Sequence, residues 1–283
     1  LAGSSAASDV YKRQIQDNTA PTAICQNVTI QLNAAGSAST TANDVDNGSN
    51  DACGVSGLSL SQATFNCSEA GNNVETLTVS DASGNDGTCA VQITVQDNIA
   101  PIAICQDITL QLNSGGTATT TATAIDNGSN DACGIGSLTL SQTTFVCAEV
   151  GANTETLTVE DNNGNTTTCN TTITVQDNVA PVAVCQDITV QLNAGGNATA
   201  NPVLANNGST DACGIASYSL SQTAFVCGEV GGNAETLTVT DINGNSSNCN
   251  LTITVQDNVA PTASCQNVTV QLDVSGNGST TAN

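Results

Sequence analysis

The stretch TETLTVEDNNGNTTTCNTTITVQ (154–176) decides the fold. Leu157 and Val159 alternate with threonines, the period-two pattern of a strand with one buried face. Asn-Asn-Gly-Asn at 162–165 carries the Asn-Gly signal of a tight hairpin. Residues 168–176 alternate again. This reads as two strands folded back on each other, and no 3.6-residue apolar period is sustained anywhere in the chain.

The strand ending in Val-Gln leads into a phrase that recurs. IQDNTAP, VQDNIAP, VQDNVAP and VQDNVAP begin at 15, 95, 175 and 255, so the starts are 80 residues apart. Units 15–94, 95–174, 175–254 and a partial 255–283 align without gaps. Such a period is long for a solenoid and suits a small domain repeated like beads. In the second unit, AICQDITLQLN (103–113) and IGSLTLS (135–141) alternate like strands. TATTTATAI (117–125) reads as a further Thr-rich strand, and DNGSNDACG (126–134) as a loop. Short strands separated by turns predict an all-β, antiparallel sandwich. The proline of each phrase lacks a backbone donor and fixes φ, so Pro101, Pro181 and Pro261 predict a stiff joint between units. Residues 1–14 match nothing later and read as a non-native or unstructured leader. The phrase STTAN at 279–283 repeats 39–43, which reads as a stop inside a fourth repeat of a longer array.

The chain carries 25 Asp and Glu against 2 Lys and Arg, with no His, and both basic residues, Lys12 and Arg13, precede residue 15. Nothing in the repeats can neutralise phosphates, which argues against nucleic acid as a partner. No apolar run reaches a membrane span, so no membrane insertion is expected of these residues. Cations are the natural partners of such a surface.

The 13 cysteines fall at four repeat positions. An even number per small unit, without His or Cys-x-x-Cys, points to disulfides and an extracellular, cell-surface location rather than to zinc. Four cysteines allow three pairings. Tying the opening strand to the closing strand favours first with fourth, that is Cys25–Cys89, Cys105–Cys169 and Cys185–Cys249. Second with third then gives Cys53–Cys67, Cys133–Cys147 and Cys213–Cys227. In the chain-entropy model such bridges contribute about 4 and about 3 kcal/mol per unit. A unit of this size with few aromatics has a thin core, so contributions of that size matter.

DNxAPxAxC at the start of each unit, DACG in the middle, and LTVxDxxGNxxxC followed by ITV at the end resemble the hyalin repeat (HYR) domain. The resemblance covers nearly all of the chain after residue 14. It implies tandem immunoglobulin-like β-sandwiches of the kind found in large bacterial cell-surface adhesins, and adhesion or a structural stalk rather than catalysis. One departure is the loop DNGSNDACG, longer than the family's usual Asp-Asn-Cys-Gly.

For catalysis, Glu149 and Glu155 could be cast as paired carboxylates, but they recur as Glu69/Glu75 and Glu229/Glu235, which reads as structure repeated three times. Phe65, Phe145 and Phe225 share one repeat position two residues before a cysteine. They read as core rather than as a platform for a sugar. No enzyme activity is expected and no cofactor is required.

Calcium is the one ion that the residues suggest. Asp97 and Asp161 each lie eight residues before a cysteine of the first–fourth pair, Cys105 and Cys169. With those strands parallel, as in the immunoglobulin pattern, both acids stand level at the N-terminal pole of the unit. The DNGSND loop reaches the same pole. A cation site is therefore expected from Asp97, Asp126, Asp131 and Asp161, helped by Asn98 and Asn165, with Asp177 and Asp241 as third-unit equivalents. Asn206, where the other units have Asp46 and Asp126, would weaken the third site. The alternative is that these residues order tight loops as Asx-turns. The function expected is a non-enzymatic adhesin stalk or spacer, partnered by neighbouring repeats and an unidentified cell-surface or matrix ligand. The rival is a calcium- or glycan-binding array that gains avidity by repetition.

Overall fold

The computed structural model describes residues 15–280. The expected leader at 1–14 lies outside the described residues. One compact unit takes in the described residues up to Gln111 together with Ala118–Gln176; Leu112–Thr117 and the described residues from Asp177 onward form a second.

In the first unit, repeat 1 supplies strands β1 (Val28–Gln31), β2 (Ser37–Ser39), β3 (Val55–Leu60), β4 (Thr64–Asn66), β5 (Gly71–Asp81) and β6 (Asp86–Gln96). Their order is β1-β6-β5-β3 in one sheet and β2-β4 in a second. Strands β5 and β6 form the predicted long hairpin, antiparallel from Gly71↔Val95 to Ser80↔Asp86. The opening strand β1 runs parallel to the closing strand β6, with Val28 opposite Ile93. Repeat 2 has the same plan: β7 (Ile108–Gln111), β8 (Thr117–Thr119), β9 (Ile135–Leu140), β10 (Thr144–Val146), β11 (Gly151–Asp161) and β12 (Thr166–Gln176). The second unit carries it a third time, as β13 (Ile188–Gln191), β14 (Asn197–Thr199), β15 (Ile215–Leu220), β16 (Ala224–Val226), β17 (Gly231–Asp241) and β18 (Ser246–Gln256). Residues 257–280 form no strand.

The alternation read at 154–176 is the core. Leu157, Val159, Ile173 and Val175 are buried on β11 and β12, and Phe145 is buried on β10 of the smaller sheet. In repeat 1 the equivalent Phe65 forms one cluster with Leu77, Val79, Ile93 and Val95, so the two sheets enclose a single core. All three Phe residues are buried, as core residues should be. At the hairpin tip Gly164 takes φ +92°, a conformation glycine reaches without steric cost.

The Thr-rich run 117–125 departs from expectation. Only Thr117–Thr119 is strand, and Ala122–Ile125 makes one helical turn. Thr121 caps that turn by accepting a hydrogen bond from the Ala124 amide, and the turn swings Ile125 into the core. A local cap plus burial outweighs the weak strand preference of alternating threonine and alanine.

Candidate functional site

The candidate site is the joint at which repeat 1 meets repeat 2, within the first unit. Each repeat is closed by a disulfide from opening to closing strand: Cys25–Cys89, Cys105–Cys169 and Cys185–Cys249, with Cα–Cα distances of 6.2, 6.0 and 6.0 Å. The remaining cysteines do not pair inside a repeat. Cys67 is bonded to Cys133 of the next repeat, with Cα atoms 5.1 Å apart. Cys53, Cys227 and Cys265 are free, and Cys147 and Cys213 are both in disulfides. The expected Cys53–Cys67, Cys133–Cys147 and Cys213–Cys227 pairs are therefore incorrect.

The length of β5 explains the correction. Cys67 opens a one-turn 3-10 helix, Cys67–Glu69, just before Gly71. Gly71 pairs with Val95 near the end of the repeat. Cys53 lies just before Val55, which pairs with Asp81 at the other end of the same strand. Eleven residues of strand separate those ends, and at about 3.3 Å per residue that is roughly 35 Å, far beyond disulfide reach. Cys67 instead faces the loop of repeat 2 that carries Cys133. Cys133 packs against the core cluster of repeat 1. Gly36 makes room: it has φ +70°, and a Cβ there would stand 2.6 Å from the Cys67 sulfur and 3.3 Å from the Ala132 Cβ.

The linker is held from both sides. Gln31 Nε2 donates to Gln96 Oε1 at 2.8 Å, and Asn98 Nδ2 donates to Gln31 Oε1 at 2.7 Å, which ties the linker back to repeat 1. The Asp97 carbonyl accepts from Asn165 Nδ2 at 3.1 Å, which ties it forward to the hairpin of repeat 2. Pro101 is buried just beyond. In the second unit Gln191, Gln256 and Asn258 repeat the first clamp at 2.6 and 2.8 Å.

The acids separate into three roles. Asp161 is buried and fully used: Oδ1 accepts from the Asn163 and Asn165 amides, and Oδ2 from Asn165 Nδ2. Burial raises its pKa, but these hydrogen bonds outweigh that and leave it below the ordinary carboxylate range. Asp241 has the same partners in repeat 3, where Asn245 also reaches the Asp177 carbonyl at 3.0 Å. Asp126 organises its own loop by accepting from the Ser129 amide at 3.0 Å, and the hydrogen bond from Ser129 lowers its pKa. Asn206 does the same work for Ser209 at 2.9 Å, so an amide serves there as well as an acid.

Asp97 is different. Its Oδ1 closes a turn on the Ile99 amide at 3.0 Å, while its buried Oδ2 has no hydrogen-bond partner. Its carboxylate, that of Asp131 and the Cys133 sulfur lie within 4.8 Å of one another. Asp177, Asp211 and Cys213 repeat that arrangement, again with an unpartnered Asp177 Oδ2. The structure thus brings Asp97 together with Asp131 and links Asp161 to Asp97 only through Asn165. Asp126 and Asn98 are directed elsewhere.

Glu149 closes the 3-10 turn Cys147–Glu149 by accepting from the Val146 amide, and it also accepts from Gln142. Glu155 accepts from Ser141. Each acid is occupied by its own structural partner.

Sheet order and closing disulfides define the chain as an array of immunoglobulin-like β-sandwich repeats. No protein-family model matches it and no curated protein does, so the hyalin-repeat resemblance rests on the quoted motifs. Among solved structures, mouse cadherin-23 EC22-24 is 12% identical, with 85% of this chain and 100% of that chain covered and a TM-score of 0.35. The protocadherin gamma B4 extracellular domain is 14% identical, with 84% of this chain and 49% of that chain covered and a TM-score of 0.35. Sidekick-1 immunoglobulin domains 1–5 are 9% identical, with 85% and 58% covered and a TM-score of 0.34. At such identities and scores the likeness carries no argument about function.

Proposed function

We propose that the chain is an extracellular, non-enzymatic spacer: the stalk of a cell-surface adhesin, built to carry load between an anchor and a binding partner. The observation behind this reading is the Cys67–Cys133 bridge between consecutive repeats. A single peptide linker lets two domains swing. A linker plus a second covalent tether leaves little more than one axis of rotation, and the Gln31–Gln96–Asn98 clamp and the Asn165–Asp97 bond oppose that one. Disulfides in this number suit an oxidising compartment outside the cell.

The closing disulfides shape how tension would travel. Pulling on the ends loads the chain up to Cys25, crosses to Cys89, runs along the short stretch 90–104, and crosses again from Cys105 to Cys169. Of each main sheet only the part of the closing strand after its cysteine lies on that path; the other strands lie inside the disulfide-closed loops. Single-molecule stretching of the oxidised protein should show no domain-sized lengthening. After reduction, each repeat should release the 64 residues between its paired cysteines, a step of roughly 220 Å at about 3.5 Å per residue. Steps of that size in the oxidised protein would contradict the stalk reading. Specific glycan or matrix binding by the repeats themselves would favour a ligand-binding array instead.

A further inference from the structure

We propose that the joint carries a divalent-cation site, suited to calcium, formed by Asp97 and Asp131 and repeated by Asp177 and Asp211 in the second unit. The reasoning is independent of the stalk reading. Asp97 is 8% exposed and Asp177 is 6% exposed, and each keeps one carboxylate oxygen buried without a hydrogen-bond partner. A buried, unpartnered carboxylate oxygen is costly, and such groups are rare without a role. Both stand at the same repeat position and both face a second carboxylate within 4.8 Å. No basic residue follows Arg13, so no side chain in the repeats can neutralise either pair.

The local geometry holds the oxygen in place. Oδ1 of Asp97 is fixed by the Ile99 amide, and Oδ1 of Asp177 by the Val179 amide, both at 3.0 Å, so each Oδ2 is aimed by the backbone turn. Asp131 and Asp211 are fixed in turn, accepting from the amides of Cys133 and Cys213 at 2.7 and 2.8 Å. The neighbouring sulfur belongs to a disulfide in both cases and offers no thiolate. Only hard oxygen donors remain, which favours calcium or magnesium over zinc. Two carboxylates completed by water make a weak site, in the roughly 0.1–1 mM range of extracellular calcium modules. In the first unit Asp131 lies two residues from Cys133, the residue bonded to Cys67, so an ion there would brace the joint that the disulfide latches.

The test uses the whole oxidised chain and compares wild type with the double variant Asp97→Asn, Asp177→Asn. Without divalent ions the variant should melt at or above wild type, because the amide relieves both the repulsion and the unpartnered oxygen. In about 10 mM calcium, wild type should gain a few degrees by mass action and overtake the variant, whose melting should not move. Sodium chloride of equal ionic strength should not reproduce the reversal. An equal rise in both proteins would mean diffuse screening of the acidic surface and would overturn the site. So would no rise in wild type. Asp131→Asn with Asp211→Asn gives a second pair, expected to lose the calcium response in the same way. Failure of this site leaves the oxidised and reduced stretching behaviour unchanged, so the two readings fail separately.

Discussion

At the residue scale, much of the site could be read from the sequence because Asp and Asn in tight turns have few options. Of the cation cluster expected from Asp97, Asp126, Asp131 and Asp161, the structure brings only Asp97 and Asp131 together, and Asp161 meets the linker only through the Asn165 bond to the Asp97 carbonyl. What could not be read was which acid is satisfied by its own loop. That depends on backbone amides: three hydrogen bonds converge on Asp161, whereas one oxygen of Asp97 is left without any. The difference predicts pH dependence. Asp161 has a lowered folded-state pKa, so its contribution is fully present above the unfolded value, about 3.9, and is lost as pH falls through the folded value. Asp126 shifts in the same direction. Melting temperature should therefore be nearly level from neutral pH to about pH 5 and fall below about pH 4. Asp161→Asn should cost about 1–2 kcal/mol at neutral pH, because its amide would set a donor against Asn165 Nδ2. Its acid-side loss should be shallower than wild type in the same scan.

At the element scale, the long hairpin was legible because its pattern is redundant: period two on both strands and an Asn-Gly turn between them. The helical turn Ala122–Ile125 was not legible, since Thr and Ala alternate there without an apolar stripe and the deciding contacts are the Thr121 cap and the burial of Ile125. The short strands depend on packing more than on propensity. The strand β10 has only 3 residues, and its Phe145 is fully buried. Phe145→Ala should cost about 3–5 kcal/mol, seen as a lower denaturant midpoint for repeat 2. A cost under about 1 kcal/mol would mean that the smaller sheet contributes little to the core.

At the scale of the whole molecule, the cysteine pattern conveyed the closing disulfides but not the link between repeats. Even numbers per repeat invite pairing within a repeat. The long hairpin strands forbid it for the middle two cysteines, because β5 sets Cys53 and Cys67 at opposite poles. A trace was present in the sequence: the lengthened DNGSNDACG loop, which places Cys133 where it meets Cys67. Free thiols remain at Cys53, Cys227 and Cys265 among the described residues. Cys53 holds in repeat 1 the position of Cys133, and Cys227 holds in repeat 3 the position of Cys67. The central claim is that consecutive repeats are joined by a disulfide as well as by peptide. The most direct test is mass-spectrometric mapping of the unreduced protein after acid-protease digestion, since the repeats contain no Lys or Arg for trypsin. We predict a linked pair of peptides containing Cys67 and Cys133, with Cys53 and Cys227 recovered as alkylated thiols; a Cys53–Cys67 or Cys133–Cys147 peptide would contradict it.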